Sequence, residues 1–157
     1  MLQPLKRKYL WISDFDYFEL ESSHRGNNYD AFAEIDFSQY DDREGLKLVR
    51  PVAKRPMQFF TEIKEGDWLV FNNLLFDKEP EEIIMDLKAE TQGGIIEIRK
   101  GSLTGDLVAS CLVATVPEST EWNTQSYKIK SLKNKEKLYF IFRGNNEGLS
   151  IKSFSFR

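Results

Sequence analysis

The chain has 157 residues, 41% of them hydrophobic and 13% aromatic, with 25 acidic against 22 basic side chains and a net charge of -3. That length supports one domain with a real core, plus at most an appendage. The mild negative balance gives no reason to expect nucleic acid or an anionic membrane as partner, and the single cysteine, Cys111, excludes an intrachain disulfide and a cysteine metal cluster.

Nothing approaches a transmembrane span, and residues 1–8 lead into no apolar signal core. The expectation is a protein that stays inside the cell, or a piece of a larger exported chain. Residues 9–20 are dense in aromatics (Tyr9, Trp11, Phe15, Tyr17, Phe18) and read as a strand or a docked extended arm. The carboxylates of this stretch, Asp14, Asp16 and Glu19, with the adjoining Glu21, read as a solvated face rather than an acid/base pair. Residues 22–28 are polar and hold Gly26, which marks a loop and a boundary. Residues 1–28 are therefore expected to be a linker, an N-terminal arm or the end of a preceding domain, and 29–157 the β domain. His24, the sole histidine, falls in that loop with no partner to orient it for catalysis.

Residues 31–37 read as a strand, 41–45 as a charged turn, and 46–49 as a short strand. A basic, proline-held loop follows over 51–56. Strands are expected over 57–63 and 67–76 around the turn Lys64-Glu65-Gly66. Another begins after Pro80, where Ile83, Met85 and Leu87 alternate with Ile84, Asp86 and Lys88. The clearest hairpin runs over 95–116. Ile95-Ile96-Glu97-Ile98-Arg99 alternates as a half-buried strand, Gly101 to Asp106 turns the chain, and an apolar strand containing Cys111 returns. A hairpin of this size needs a sheet to dock on. Strands over 122–129, 138–143 and 149–156 close the chain, separated by a lysine-rich turn over 131–137 and the turn 144–148. The lysines Lys128, Lys130, Lys133, Lys135 and Lys137 read as a solvated edge that discourages aggregation, not a nucleic-acid surface.

About ten strands, no amphipathic helix and turn signals every eight to twelve residues or so predict an all-β protein, an antiparallel β-sandwich. The alternation places Ile96, Ile98, Val113, Leu138, Phe140 and Phe142 in its interior.

Three stretches in order carry a resemblance: Glu65-Gly66-Asp67-Trp68-Leu69-Val70-Phe71, residues 94–115 with Ile-Glu-Ile-Arg and Leu-Thr-Gly inside, and Leu138-Tyr139-Phe140-Ile141-Phe142-Arg143-Gly144. Together they resemble the family 6 carbohydrate-binding modules, a β-jelly-roll family, from about Ala31 to the C-terminus. The resemblance implies a non-catalytic module that binds polysaccharide or oligosaccharide and rides on the catalytic domain of a secreted glycoside hydrolase. Its setting would be extracellular, periplasmic or at the cell surface.

In that family a loop-edge site holds a sugar between two aromatics, with an asparagine on its hydroxyls. The resemblance places the stacking tryptophan at Trp122. It places the partner aromatic at Glu62, with Phe59 and Phe60 close by, and the asparagine at Ser150, with Asn145 and Asn146 in the preceding loop. Trp122 has two readings, a stacking platform or a core plug, and its neighbours Glu121 and Asn123 suggest a wet site. Some relatives bind glycan across a concave sheet face at the position of Trp68, for which core packing is the weightier reading. Relatives also carry a structural calcium, for which Glu34 matches one ligand. The second ligand falls on Lys152 (or Ser153 if the register slips), and an ammonium cannot ligate a hard cation. The expectation is no metal, with a Lys152–Glu34 ion pair in its place. Glu62 accepts sugar hydroxyls but repels uronates, so a neutral glycan of xylan, glucan or galactan type is expected ahead of pectate or alginate. Two other readings stand beside this one: a structural jelly roll that packs on a catalytic domain without binding sugar, and, weakest, an enzyme, for which no nucleophile–base set stands out.

Overall fold

The computed structural model describes residues 27–50, 52, 57–90, 94–116 and 121–157. The expected strand or arm over 9–20, His24, and most of the loops at 51–56 and 117–121 lie outside these.

The described residues form two sheets packed face to face. The strands are β1 (Tyr29–Asp30), β2 (Ile35–Asp36), β3 (Asp42–Glu44), β4 (Lys47–Val49), β5 (Phe59–Thr61), β6 (Trp68–Phe76), β7 (Glu82–Ala89), β8 (Ile95–Lys100), β9 (Asp106–Leu112), β10 (Asn123–Lys128), β11 (Asn134–Arg143) and β12 (Leu149–Phe156). The first sheet runs β1-β6-β11-β8-β9, with β3 also on β6; the second runs β10-β7-β12-β5-β4, with β2 also on β12. All pairs are antiparallel except β1 with β6. This is the expected all-β jelly-roll sandwich. The predicted interior residues Ile96, Ile98, Val113, Leu138, Phe140 and Phe142 are all buried.

Three local expectations are corrected. Residues 31–37 do not form one strand. The Asp30 carboxylate accepts the Phe32 N–H at 3.0 Å, Ala33 N–H bonds the Asp30 carbonyl, and a 3-10 turn (Phe37–Gln39) follows, so only Ile35–Asp36 pairs. Short polar side chains that bond their own backbone compete with the sheet ladder. The charged turn at 41–45 contains β3, paired to β6 through Asp42↔Val70. The lysine-rich turn is shorter than expected, because Asn134, Lys135 and Glu136 already pair with β6.

Between the sheets lies a phenylalanine cluster. Phe154 sits with ring centroids 4.9 Å from Phe37 and Phe140 and 5.0 Å from Phe71, and all four side chains are almost wholly buried. The alternating burial of β7, in which residues 83, 85, 87 and 89 point inward, leaves Ile84, Asp86 and Lys88 on the outer face of the second sheet.

The Gly-Asp-Trp stretch is a structural device. Gly66 adopts φ +92°, which only glycine takes without strain, and its N–H bonds the Phe142 carbonyl. The Asp67 carboxylate Oδ2 accepts the N–H of Lys64 at 2.9 Å and of Leu46 at 3.1 Å, tying the turn to the start of β4. Asp67→Ala should therefore lower stability by about 1–3 kcal/mol, and Asp67→Asn, which keeps an acceptor, by less. Urea unfolding would read this, and equal losses in the two variants would refute the hydrogen-bond explanation.

Candidate functional site

Trp122 directly precedes β10. The pair Asn123↔Leu87 sets it beside Lys88 on the outer face of the second sheet, half-buried. Phe59 reaches the same place from β5. Its partner in that short strand, Phe60, pairs with Ile151 and points inward. Period-two alternation then sends Phe59 outward, where its ring centroid is 5.2 Å from Trp122 at 69°. Two ammonium groups flank the indole: Lys88 Nζ is 5.1 Å and Lys152 Nζ 5.3 Å from the ring centroid. Between Lys88 and β5 on this face stands Ser150, paired with Lys88 in register, whose Oγ donates to Thr61 Oγ1 at 3.3 Å.

The residues expected around Trp122 divide. Phe60 is corrected to core: it is fully buried, 5.8 Å from the Tyr40 ring and under the Arg43 guanidinium. Asn146 is also corrected, because it is only 2% exposed. Its Nδ2 donates to the Gly144 carbonyl at 3.2 Å, and a Cβ on Gly94 would lie 2.2 Å from its Oδ1. Asn146 thus clamps the 144–148 turn against a glycine that must stay bare. Ser150 is 7% exposed and occupied by Thr61. Glu62 and Asn145 remain exposed and line a separate groove at the sandwich edge with Thr61, Glu65 and Glu147. There Glu62 faces Lys47 at 3.5 Å, Asn145 Oδ1 accepts the Glu147 N–H, and Glu65 accepts the Gly144 N–H and pairs with Arg143. Thr61 is the side chain common to groove and sheet face. Phe59, which the sequence offers only as a neighbour of the expected partner position, is the aromatic that meets Trp122. Its signal was the adjacency of two phenylalanines in one strand, of which only one can face inward.

Trp68 is not a core residue. It lies half-buried on the outer face of the first sheet, edge-on to Tyr139 at 5.6 Å, with Nε1 donating to Glu44 Oε1 at 3.0 Å. Beyond Tyr139 on that face, Glu97 Oε1 accepts from Arg99 Nε at 3.3 Å and Arg143 Nε at 3.4 Å. The second face thus also combines an aromatic pair with planar polar groups.

Burial pushes the Cys111 thiol up to about 12, and burial together with Cys111 pushes the Tyr127 phenol to about 12. Neither ionises near neutral pH.

A family-model comparison matches residues 38–157 to the carbohydrate binding module (family 6). The chain belongs to family 6 of the carbohydrate-binding modules. It is therefore a non-catalytic binding module. It is similar to a family 6 module from Clostridium cellulolyticum solved with xylose, with a TM-score of 0.74, 23% identity, and coverage of 82% of this chain and 99% of that one. A β-1,3-glucan-binding family 6 module from Bacillus halodurans matches at TM-score 0.74 and 24% identity, over 83% and 99% of the two chains. An arabinoxylan arabinofuranohydrolase of Bacillus subtilis (strain 168) is 29% identical over 91 residues, which are 58% of this chain and 18% of that enzyme.

The calcium implied by the family meets an unsuitable donor set. Glu34 Oε2 accepts from Ser153 Oγ at 2.7 Å, so Ser153 rather than Lys152 stands opposite it. The expected Lys152–Glu34 pair is corrected: Lys152 Nζ bonds Asp86 Oδ2 at 3.0 Å, across the β12–β7 pair. The neighbouring Asp36 carboxyl is raised by burial and by Glu34, with Lys152 opposing. A hydroxyl and an ammonium supply no anionic oxygen, and no group of three His, Cys, Asp or Glu suited to a metal occurs among the described residues.

Proposed function

We propose that the module binds a polysaccharide with a neutral main chain, of xylan, glucan or galactan type, and holds a linked glycoside hydrolase on it outside the cell. Residues 1–28 would serve as the connection to the rest of such an enzyme. The observation that carries this reading is Trp122, an indole presented on a sheet face and propped by Phe59, at the residue where the sequence resemblance puts a stacking tryptophan. Stacking on an aromatic face removes the apolar C–H side of a pyranose from water, and nearby polar groups take its hydroxyls. Ring centroids 5.2 Å apart leave no slot for a pyranose between Trp122 and Phe59, so stacking uses one face of the indole and binding is weak. Glu62 and Asn145 in the adjoining groove are the nearest hydrogen-bonding groups proposed for a second sugar unit.

A glycan array followed by calorimetric titration tests this. Binding of xylo-, gluco- or galacto-oligosaccharides is expected. A folded module that binds no glycan would leave the structural role, packing against a catalytic domain. Favouring a second site on the first sheet, around Trp68, is its pairing with Tyr139 beside the Glu97–Arg99–Arg143 cluster.

The fold is proposed to need no calcium; what supports this is that Glu34 is bonded by the Ser153 hydroxyl and that Lys152 pairs with Asp86. A metal bound only by the folded state adds stability that chelation removes. The melting temperature should be the same with chelator as with added calcium, and a fall of several degrees with chelator would overturn this.

A further inference from the structure

The charge around Trp122 has a feature that a wholly neutral ligand does not use. Lys88 Nζ lies 5.1 Å from the Trp122 ring centroid and 5.9 Å from that of Phe59, so one ammonium sits over the pair. Lys152 approaches the same indole, but Asp86 Oδ2 answers its charge at 3.0 Å. Among the described residues no carboxylate forms an ion pair with Lys88. Glu62, the carboxylate expected to repel acidic sugars from this site, is on the groove and faces Lys47.

An ammonium over an aromatic ring keeps three N–H donors and has no acceptor capacity. A sugar laid on the indole competes with Lys88 for the ring and displaces its cation–π contact. The displaced ammonium then stands at the rim of the stacked sugar, half-shielded from water, where it attracts an anion more strongly than a free surface lysine does. A neutral hydroxyl offers it little that water does not.

We infer that the glycan taken by the Trp122 site carries an acidic substituent, the carboxylate of a uronic acid branch or a sulfate ester, on its otherwise neutral main chain, and that Lys88 receives this anion. The inference rests on the reading of Trp122 as the stacking platform. It concerns a branch beside the stacked sugar, not an acidic main chain.

The test is calorimetric titration with three pairs of oligosaccharides. The first is xylotetraose with and without one glucuronic acid branch. The second is neutral against singly sulfated galactotetraose, which separates the two sources of negative charge. The third is cellotetraose against a polygalacturonate tetramer. Wild type should bind at least one acidic-branched ligand about tenfold more tightly than its neutral parent at low salt, with the advantage shrinking as salt rises. In Lys88→Gln the acidic-to-neutral ratio should fall to about one, and in Lys88→Arg it should persist, which excludes a folding artefact. Trp122→Ala should weaken acidic and neutral ligands together. Equal or weaker binding of both acidic-branched ligands by wild type would overturn the inference and leave glycan binding at Trp122 standing. An advantage that survives Lys88→Gln would overturn the assignment to Lys88. Loss of every ligand from the wild type would defeat the underlying glycan reading instead.

Discussion

Trp122→Ala is expected to remove almost all measurable glycan binding while the module stays folded. The indole is half-buried on an outer sheet face, and among the described residues its ring meets Phe59 and two lysine side chains rather than the phenylalanine cluster between the sheets. Its loss therefore opens no cavity in the core. By analogy with bases stacked on aromatics, truncation should lower affinity by about 1–3 kcal/mol, roughly 5- to 150-fold. A single-faced platform starts from weak affinity, so a loss of that size takes binding below detection. Trp68→Ala is the matched control: unchanged affinity supports the second-sheet site. The reverse pattern would move the site to the first sheet, where Trp68, Tyr139 and the Glu97–Arg99–Arg143 cluster lie.

The largest effect on stability is expected from Phe154→Ala. Phe154 is 1% exposed and its ring meets Phe37, Phe71, Phe140 and Phe156 at centroid distances of 4.9, 5.0, 4.9 and 6.0 Å. These residues come from the 3-10 turn, β6, β11 and β12, so one ring touches both sheets. Large-to-small changes at such sites cost about 3–5 kcal/mol, transfer and cavity terms together. Against a total stability of about 5–15 kcal/mol, that leaves a marginal fold. The urea midpoint should fall steeply with little change in slope. Phe59→Ala, on the outer face, should cost far less, and a loss smaller than about 1 kcal/mol for Phe154→Ala would show that the cluster does not hold the sheets together.

The two phenylalanines of β5 show where sequence reading stopped. Phe59 and Phe60 are neighbours in a three-residue strand, so alternation requires one to face inward without saying which. The pairing of Phe60 with Ile151 decides it, and β12 lies some ninety residues further along the chain. The burial of Asn146 has the same origin. Nothing local distinguishes it from Asn145, yet one side chain fits against Gly94 and the other caps the turn in solvent. Trp68 begins an unbroken apolar run, Trp-Leu-Val-Phe, whose next three residues are all buried, so only the pairing of β6 with β3 and β11 shows that its indole faces outward.

By itself the sequence determined the fold class, the order of the long strands, their inward faces, the turn built on Gly66 and Asp67, and the family. The family rests on the likeness of three ordered stretches; the others depend on period-two alternation, backbone-permissive residues and short-range hydrogen bonds, which are properties of neighbours in the chain. Only the tertiary structure decided that Phe59 props Trp122, that Lys152 answers Asp86 instead of Glu34, and that Lys88 stands over the indole with no ion-paired carboxylate among the described residues. Those arrangements follow from which residue meets which across β10, β7, β12 and β5. A shift of one residue in any of these registers would turn every side chain of that strand to the opposite face.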